Sequence, residues 1–258
     1  MSILANFLFT LSTFTKIPTP QIAYNEKNTK YTFFCLPLVG LVLGVIYFVV
    51  FTILTTLINE TIIVAIALFL VNIVVTGGIH FDGYIDSMDA FKSYRNYEEK
   101  KRIIKDSTIG AFGLIYFFVA ALLYFIMYYY LVKYNLGIIL LIIPIISRTL
   151  ILLLVCNNAK EKNDMLDNLI SEEIEKRYLI FVFLYLIIII GLALLFGHIN
   201  IFVLCLALLG SALIYTIYFN RLFKLHFKEM NGDLCGYFII MVEVIAPLVF
   251  IVFALLYN

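Results

Sequence analysis

Residues 61–91 read TIIVAIALFLVNIVVTGGIHFDGYIDSMDAF, and they decide what kind of protein this is. The first nineteen, Thr61–Ile79, hold no charged side chain. A helix of about 20 apolar residues crosses a hydrocarbon core of about 30 Å, so this run reads as a membrane span. At Gly77-Gly78 the character changes, and aspartates arrive at positions 82, 86 and 89. Six other runs match the first in length and composition: Phe34–Ile58, Ala111–Val132, Leu136–Val155, Leu179–Phe196, Ile199–Phe219 and Tyr237–Tyr257. Ser2–Phe14 is apolar but too short, which predicts an interfacial or re-entrant helix ended by Pro18 and Pro20.

The whole chain supports that reading. Of its 258 residues 64% are hydrophobic and 14% charged, with a mean hydropathy of +1.04, whereas soluble domains are roughly 45–50% apolar and about 25% charged. A water-soluble globule and a disordered chain are both excluded. A formal net charge of +1 excludes nucleic-acid binding through bulk positive charge. The expected fold is all-α, a polytopic membrane bundle of about seven transmembrane helices plus the short N-terminal helix, in one domain over residues 1–258.

Sixteen of the 18 basic residues fall in the N-terminal arm or in alternate loops on one side, Lys133 alone falls opposite, and Arg148 lies within a span. Loops rich in Lys and Arg stay in the cytoplasm, so the N-terminus is placed inside and the C-terminus outside a cell membrane. Fifteen of the 17 carboxylates share the cytoplasmic side; Glu60 is in an outer loop and Glu243 in the last span. Tryptophan is absent, which leaves Tyr128, Tyr129, Tyr130 and Tyr134 as an interfacial belt. Cys35, Cys156, Cys205 and Cys235 lack paired spacing and read as small packing residues. Nothing in residues 1–18 resembles a removable signal peptide. The polar loop from Asn157 to Arg177 reads as a solvated connection carrying a short helix after Ser171.

Chemistry concentrates at the cytoplasmic edge. On a helix, Asp82, Asp86 and Asp89 stand at i, i+4 and i+7 on one face. Three converging carboxylates at a low-dielectric boundary either take up protons or bind a cation. Oxygen donors suit Mg²⁺, with Mn²⁺ as a substitute, ions that also hold phosphate oxygens. Downstream, Arg102 and Lys105 can meet phosphate charge, Asp106 can join the metal, and Ser107 can cap the next helix. Asn231-Gly232-Asp233 opens the last span on the same side. Arg148 and Glu243 are costly in a span unless paired, which predicts that they face each other or share a polar cavity. His80, beside Asp82, is a candidate base or ligand-positioning group. Together these residues point to metal-dependent chemistry on a diphosphate, with phosphotransfer and prenyl transfer both open.

The stretch from Gly77 through His80, Asp82-Gly83 and Asp86 to Asp89 closely resembles the Gly-Gly-x-His-x-Asp-Gly-x-x-Asp-x-x-Asp signature of the cobalamin synthase family, the adenosylcobinamide-GDP ribazoletransferases. The resemblance continues at Lys16-Ile17-Pro18, Leu36–Gly40, Arg102, Lys105–Gly113, Ser147-Arg148 and Gly232–Gly236. It implies a magnesium-dependent membrane phosphotransferase of cobalamin assembly: a hydroxyl of α-ribazole, or of its 5′-phosphate, attacks adenosylcobinamide-GDP and GMP leaves. On that resemblance Asp82, Asp86 and Asp89 would hold Mg²⁺. His80, Lys105 and Asp106 would serve catalysis, with Asp106 or Asp233 as base, and Arg95, Arg102, Ser107, Arg148, Asn231 and Asp233 would hold substrate. The lipid bilayer is the standing partner, alongside soluble enzymes of the pathway or a second copy of the chain. Two positions depart from the family pattern, Ala90 for Gly and Thr108 for Arg, and the second removes a phosphate contact.

Two other classes compete. A CDP-alcohol phosphotransferase carries Ala-Arg after its first Asp-Gly-x-x, where this chain has Ile85-Asp86, and a prenyltransferase needs a second aspartate-rich block that Asn231-Gly232-Asp233 hardly makes. A transporter would place its functional residues at the midplane within inverted repeats; the charges here gather at one face, and no repeat is visible.

Overall fold

The computed structural model describes residues 3–20, 32–106, 108–158, 199–227 and 230–256, and individual residues at 180, 182, 184, 185, 187 and 191. The described residues form α1 (Ile3–Phe14), α2 (Thr32–Leu57), α3 (Thr61–Thr76), α4 (Ile79–Lys92), α5 (Tyr97–Ile104), α6 (Ala111–Lys133), α7 (Gly137–Asn158), α8 (Ile199–His226) and α9 (Gly232–Leu256). Five of these, α2, α6, α7, α8 and α9, are long and apolar enough to cross a membrane; α3 and α4 pass the same test only as a pair, and that pair is bent by 90°. The molecule is a polytopic membrane helical bundle, as its sequence predicts. The expected span Leu179–Phe196 and the loop from Asn157 to Arg177 lie almost wholly outside the described residues.

Helix α7 is apolar on every side and almost every residue of it is buried, which marks it as the central helix. Its tightest neighbour is α2. Lipid tails are as apolar as leucine, so helices in a bilayer associate through close packing, and small residues permit it. Gly40 and Gly44, one turn apart, supply that here: a Cβ at either would run into the Pro144 or the Leu141 carbonyl of α7. In contrast, α6 presents Leu114, Ile115, Phe118 and Leu122 outward, the pattern of a helix facing lipid.

The second span, expected over Thr61–Ile79, ends as a helix at Thr76, and α4 leaves it at a right angle. Gly77 and Gly78 both take left-handed backbone angles, φ 65° and 73°, that an L side chain would strain. The Gly77 N–H closes α3 on the Ile73 and Val74 carbonyls, and α4 starts at once. The last two helices reach further than hydropathy suggests. α8 runs on to His226, so Arg221 and Lys224 lie on helix rather than in a loop, and α9 begins at Gly232. Hydropathy reports where lipid ends; hydrogen bonding continues as long as the chain finds contacts.

Candidate active site

Helix α4 carries the aspartates and is held between α9 and α6. Its approach to α9 depends on two glycines. A Cβ on Gly83 would stand 2.8 Å from the Asp233 Cα, and one on Gly236 would stand 3.1 Å from the His80 carbonyl oxygen. Asp233, in the first turn of α9, is thereby set against the α4 backbone. Asn231 caps that turn, its Oδ1 accepting the Leu234 N–H at 2.8 Å. Stacking of Tyr84 on Tyr237, centroids 5.4 Å apart and planes 7° from parallel, fixes the same pair of helices.

The three aspartates do lie on one helix, as their spacing predicts, yet their surroundings differ. Asp86 is half-buried; burial first, then the charges of Asp82, Asp233 and Asp89, push its carboxyl up to about 6. Asp89 is buried and already engaged: Oδ2 accepts the Gly110 N–H and Oδ1 the Gly113 N–H, each at 2.8 Å. It supplies from another helix the cap that Gly110 cannot give α6. Both glycines are needed for the approach, since a Cβ on either would meet the Asp89 carboxylate.

His80 lies two positions before Asp82, which puts it on the opposite face of α4. Its ring is buried, with Nε2 3.1 Å from Arg148 Nη2. An arginine only donates, so Nε2 accepts and the proton sits on Nδ1. Arg148 is ion-paired with Glu243, as expected of two charges within spans, and also donates to Ser147 Oγ at 2.8 Å. Ser147 and Tyr124 donate to the two Glu243 oxygens at 3.0 and 3.1 Å. Helices α4, α6, α7 and α9 thus meet in one buried polar network.

The remaining residues singled out in the sequence are dispersed. Lys105 closes α5 and is exposed, as is Arg102. Arg95 lies on the surface with Nη1 4.0 Å from Glu99 Oε1. Asp106 is exposed, its Oδ1 accepting the Thr108 hydroxyl at 2.7 Å and the Thr108 N–H at 3.0 Å; those bonds hold its carboxyl below the usual range. Thr108, which the family pattern fills with Arg, therefore closes a local turn. Ser107 lies outside the described residues.

Sequence reasoning passed over Lys100. It is buried beneath Phe227, with Nζ 2.8 Å from His226 Nδ1, and burial lowers its pKa. The signal was its helical spacing from Ile104, the other buried residue of α5.

Among the described residues, no three His, Cys, Asp or Glu side chains are gathered closely enough to hold a metal ion unaided. The donor set still fits a hard divalent cation: all carboxylate oxygen, with Asp86 raised first by burial and then by the carboxylates of Asp82, Asp233 and Asp89 beside it. Mg²⁺ is commonly held by one or two carboxylates plus substrate phosphates rather than by an all-protein cage.

Comparison with known proteins places the chain in a family. No solved structure matches the chain significantly. An adenosylcobinamide-GDP ribazoletransferase of Lachnoclostridium phytofermentans is 33% identical over 93% of this chain and 91% of its own length. Its counterpart from Clostridium tetani is 31% identical over the whole chain and 99% of its own length, and that of Clostridium botulinum strain Alaska E43 is 28% identical over 92% and 93%. The family profile described as cobalamin-5-phosphate synthase matches residues 6–251. With its glycine elbow, its aspartate helix and a match over nearly its full length, the chain belongs to the cobalamin-5-phosphate synthase family.

Proposed function

We propose that this chain joins the two halves of cobalamin, transferring the adenosylcobinamide phosphoryl group of adenosylcobinamide-GDP to α-ribazole or its 5′-phosphate. The bond from that phosphorus to the GMP oxygen breaks, a bond to the ribazole 3′-oxygen forms, and the hydroxyl proton passes to a carboxylate. The observation that carries this reading is the setting of Asp233 against Asp82 and Asp86 across Gly83, in a chain of this family.

Asp82, Asp86 and Asp233 have oxygens to offer Mg²⁺, with Mn²⁺ as substitute, whereas those of Asp89 already accept two amides. Bound there with the diphosphate, the cation would draw charge from the leaving phosphate. Asp233 accepts the hydroxyl proton in preference to Asp106, which is exposed and tied to Thr108. His80 acts through Arg148 as a positioning residue, holding the far side of α4. Arg102 and Lys105, exposed beyond α5, supply positive charge for the nucleotide. The site faces the cytoplasm, on the side of the membrane where the basic loops lie.

Sealed inverted vesicles containing the chain, given adenosylcobinamide-GDP, α-ribazole and Mg²⁺, should release GMP and form adenosylcobalamin without detergent. Right-side-out vesicles should not. Inserted protein that yields neither product would overturn the reading, and equal turnover in both vesicle types would overturn the orientation.

A further inference from the structure

A cleft of about 510 Å³ lies between the end of α1 and the α3–α4 elbow, with Ser12, Thr13, Lys16, Gly78, Phe81 and Asp82 among its walls. Its size is that of a small-molecule site. Several features show it to be held open. The Lys16 N–H donates to the Val75 carbonyl at 2.8 Å, so the residue is anchored to the end of α3. The methylene stem of Lys16 lies across Gly77, where a Cβ would stand 2.5 Å from Cε and 2.6 Å from Cγ. Gly78 faces open space, with nothing within 4 Å of where its Cβ would be.

The wall chemistry is specific. Lys16 and Asp82 share the cleft without touching, and Lys16 has no carboxylate partner among the described residues. Ser12 Oγ and Thr13 Oγ1 each spend their proton on the Phe9 carbonyl at 2.8 Å, so toward the cleft they can only accept. A ligand that suits these walls carries an anion for Lys16 and hydroxyl donors for Ser12 and Thr13. A ribose phosphate has both.

We infer that this cleft seats a ribose phosphate, with Lys16 as the cation on its phosphate and the α1 hydroxyls on its sugar. The inference rests on the reading proposed above and adds a wall of the site that the aspartate helix does not supply. Two substrates of that reaction carry such a group: the GDP end of one, and the 5′-phosphorylated form of the other.

The test is steady-state kinetics on the full chain in vesicles, comparing Lys16→Met and Lys16→Arg with the parent. Loss of a charge-assisted contact should raise KM about tenfold for the substrate that occupies the cleft, with a smaller change in kcat, and Lys16→Arg should recover most of it. A rise in KM for adenosylcobinamide-GDP assigns the cleft to the GDP end. A rise for α-ribazole 5′-phosphate but not for α-ribazole assigns it to the 5′-phosphate. If Lys16→Met fails to insert, Thr13→Phe, which fills the cleft, should raise the same KM. Unchanged KM values for all three substrates in an active Lys16→Met or Thr13→Phe chain overturn the inference while leaving the reaction intact. A parent that releases no GMP overturns the reaction itself.

Discussion

A carboxyl pushed up to about 6 by burial and like charge titrates within the range in which a cell works, so Asp86 couples the site to pH. Its folded value exceeds the ordinary 3.8, which means that the folded chain binds the proton more tightly than the unfolded one. Without metal, stability should therefore rise as pH falls through about 6 toward about 4, and repulsion should weaken the fold above that window. Mg²⁺ bound at the proposed site would neutralise the same charge, so the rise it gives in the thermal midpoint should be large near pH 7.5 and vanish near pH 5. A shift independent of pH would show that the ion binds elsewhere. Asp89 should behave differently although it shares the helix face. In Asp89→Asn the side-chain amide faces a backbone N–H it cannot accept, costing about 1–3 kcal/mol of stability. Mn²⁺ affinity measured by electron paramagnetic resonance should stay within about twofold of the parent, whereas Asp86→Asn should weaken it about tenfold or more. Helical spacing places both side chains on one face and cannot tell a free carboxylate from one bonded to glycines 21 and 24 residues away.

Between elements, the precision of the site depends on how closely α4 and α9 approach. Gly83→Ala would press a methyl group onto the Asp233 backbone, 2.8 Å from Cα, where no flexible side chain can yield. A displacement near 1 Å at reacting groups can cost about a hundredfold in rate, and that is the loss expected in GMP release. Gly236→Ala meets the His80 carbonyl at 3.1 Å and should lose far less, so the ratio between the two variants is the measurement. The spans were legible because twenty apolar residues have one solution in a bilayer, and the boundaries of α6 and α7 fall within three residues of those read from hydropathy. The right angle between α3 and α4 was not. Gly77-Gly78 marks a place where the chain can turn, but hydropathy sums run on through it, and the turn itself depends on what α1 and α9 pack against.

At the scale of the molecule, the ion pair within the spans was foreseeable from cost alone: two charges in apolar helices at similar depth must find each other. What the sequence could not convey is that His80, Ser147 and Tyr124 close the same network, since hydroxyls and a ring nitrogen carry no hydropathy signature. Glu243→Gln leaves Arg148 charged and enclosed, and unfolding in detergent should show about 3–5 kcal/mol lost. Replacing both residues with methionine should restore much of that loss, which would separate the penalty of an orphan charge from any worth of the pair. The order of synthesis adds a consequence. α9 is the last of these helices to leave the ribosome, and it brings Glu243 to Arg148 and Asp233 to the aspartates of α4. Until it arrives, Arg148 of α7 lacks its carboxylate partner and Asp233 is missing from beside Asp82 and Asp86. A chain cut before α9 would therefore lose, in one step, the counter-charge of the buried network and one carboxylate of the proposed site.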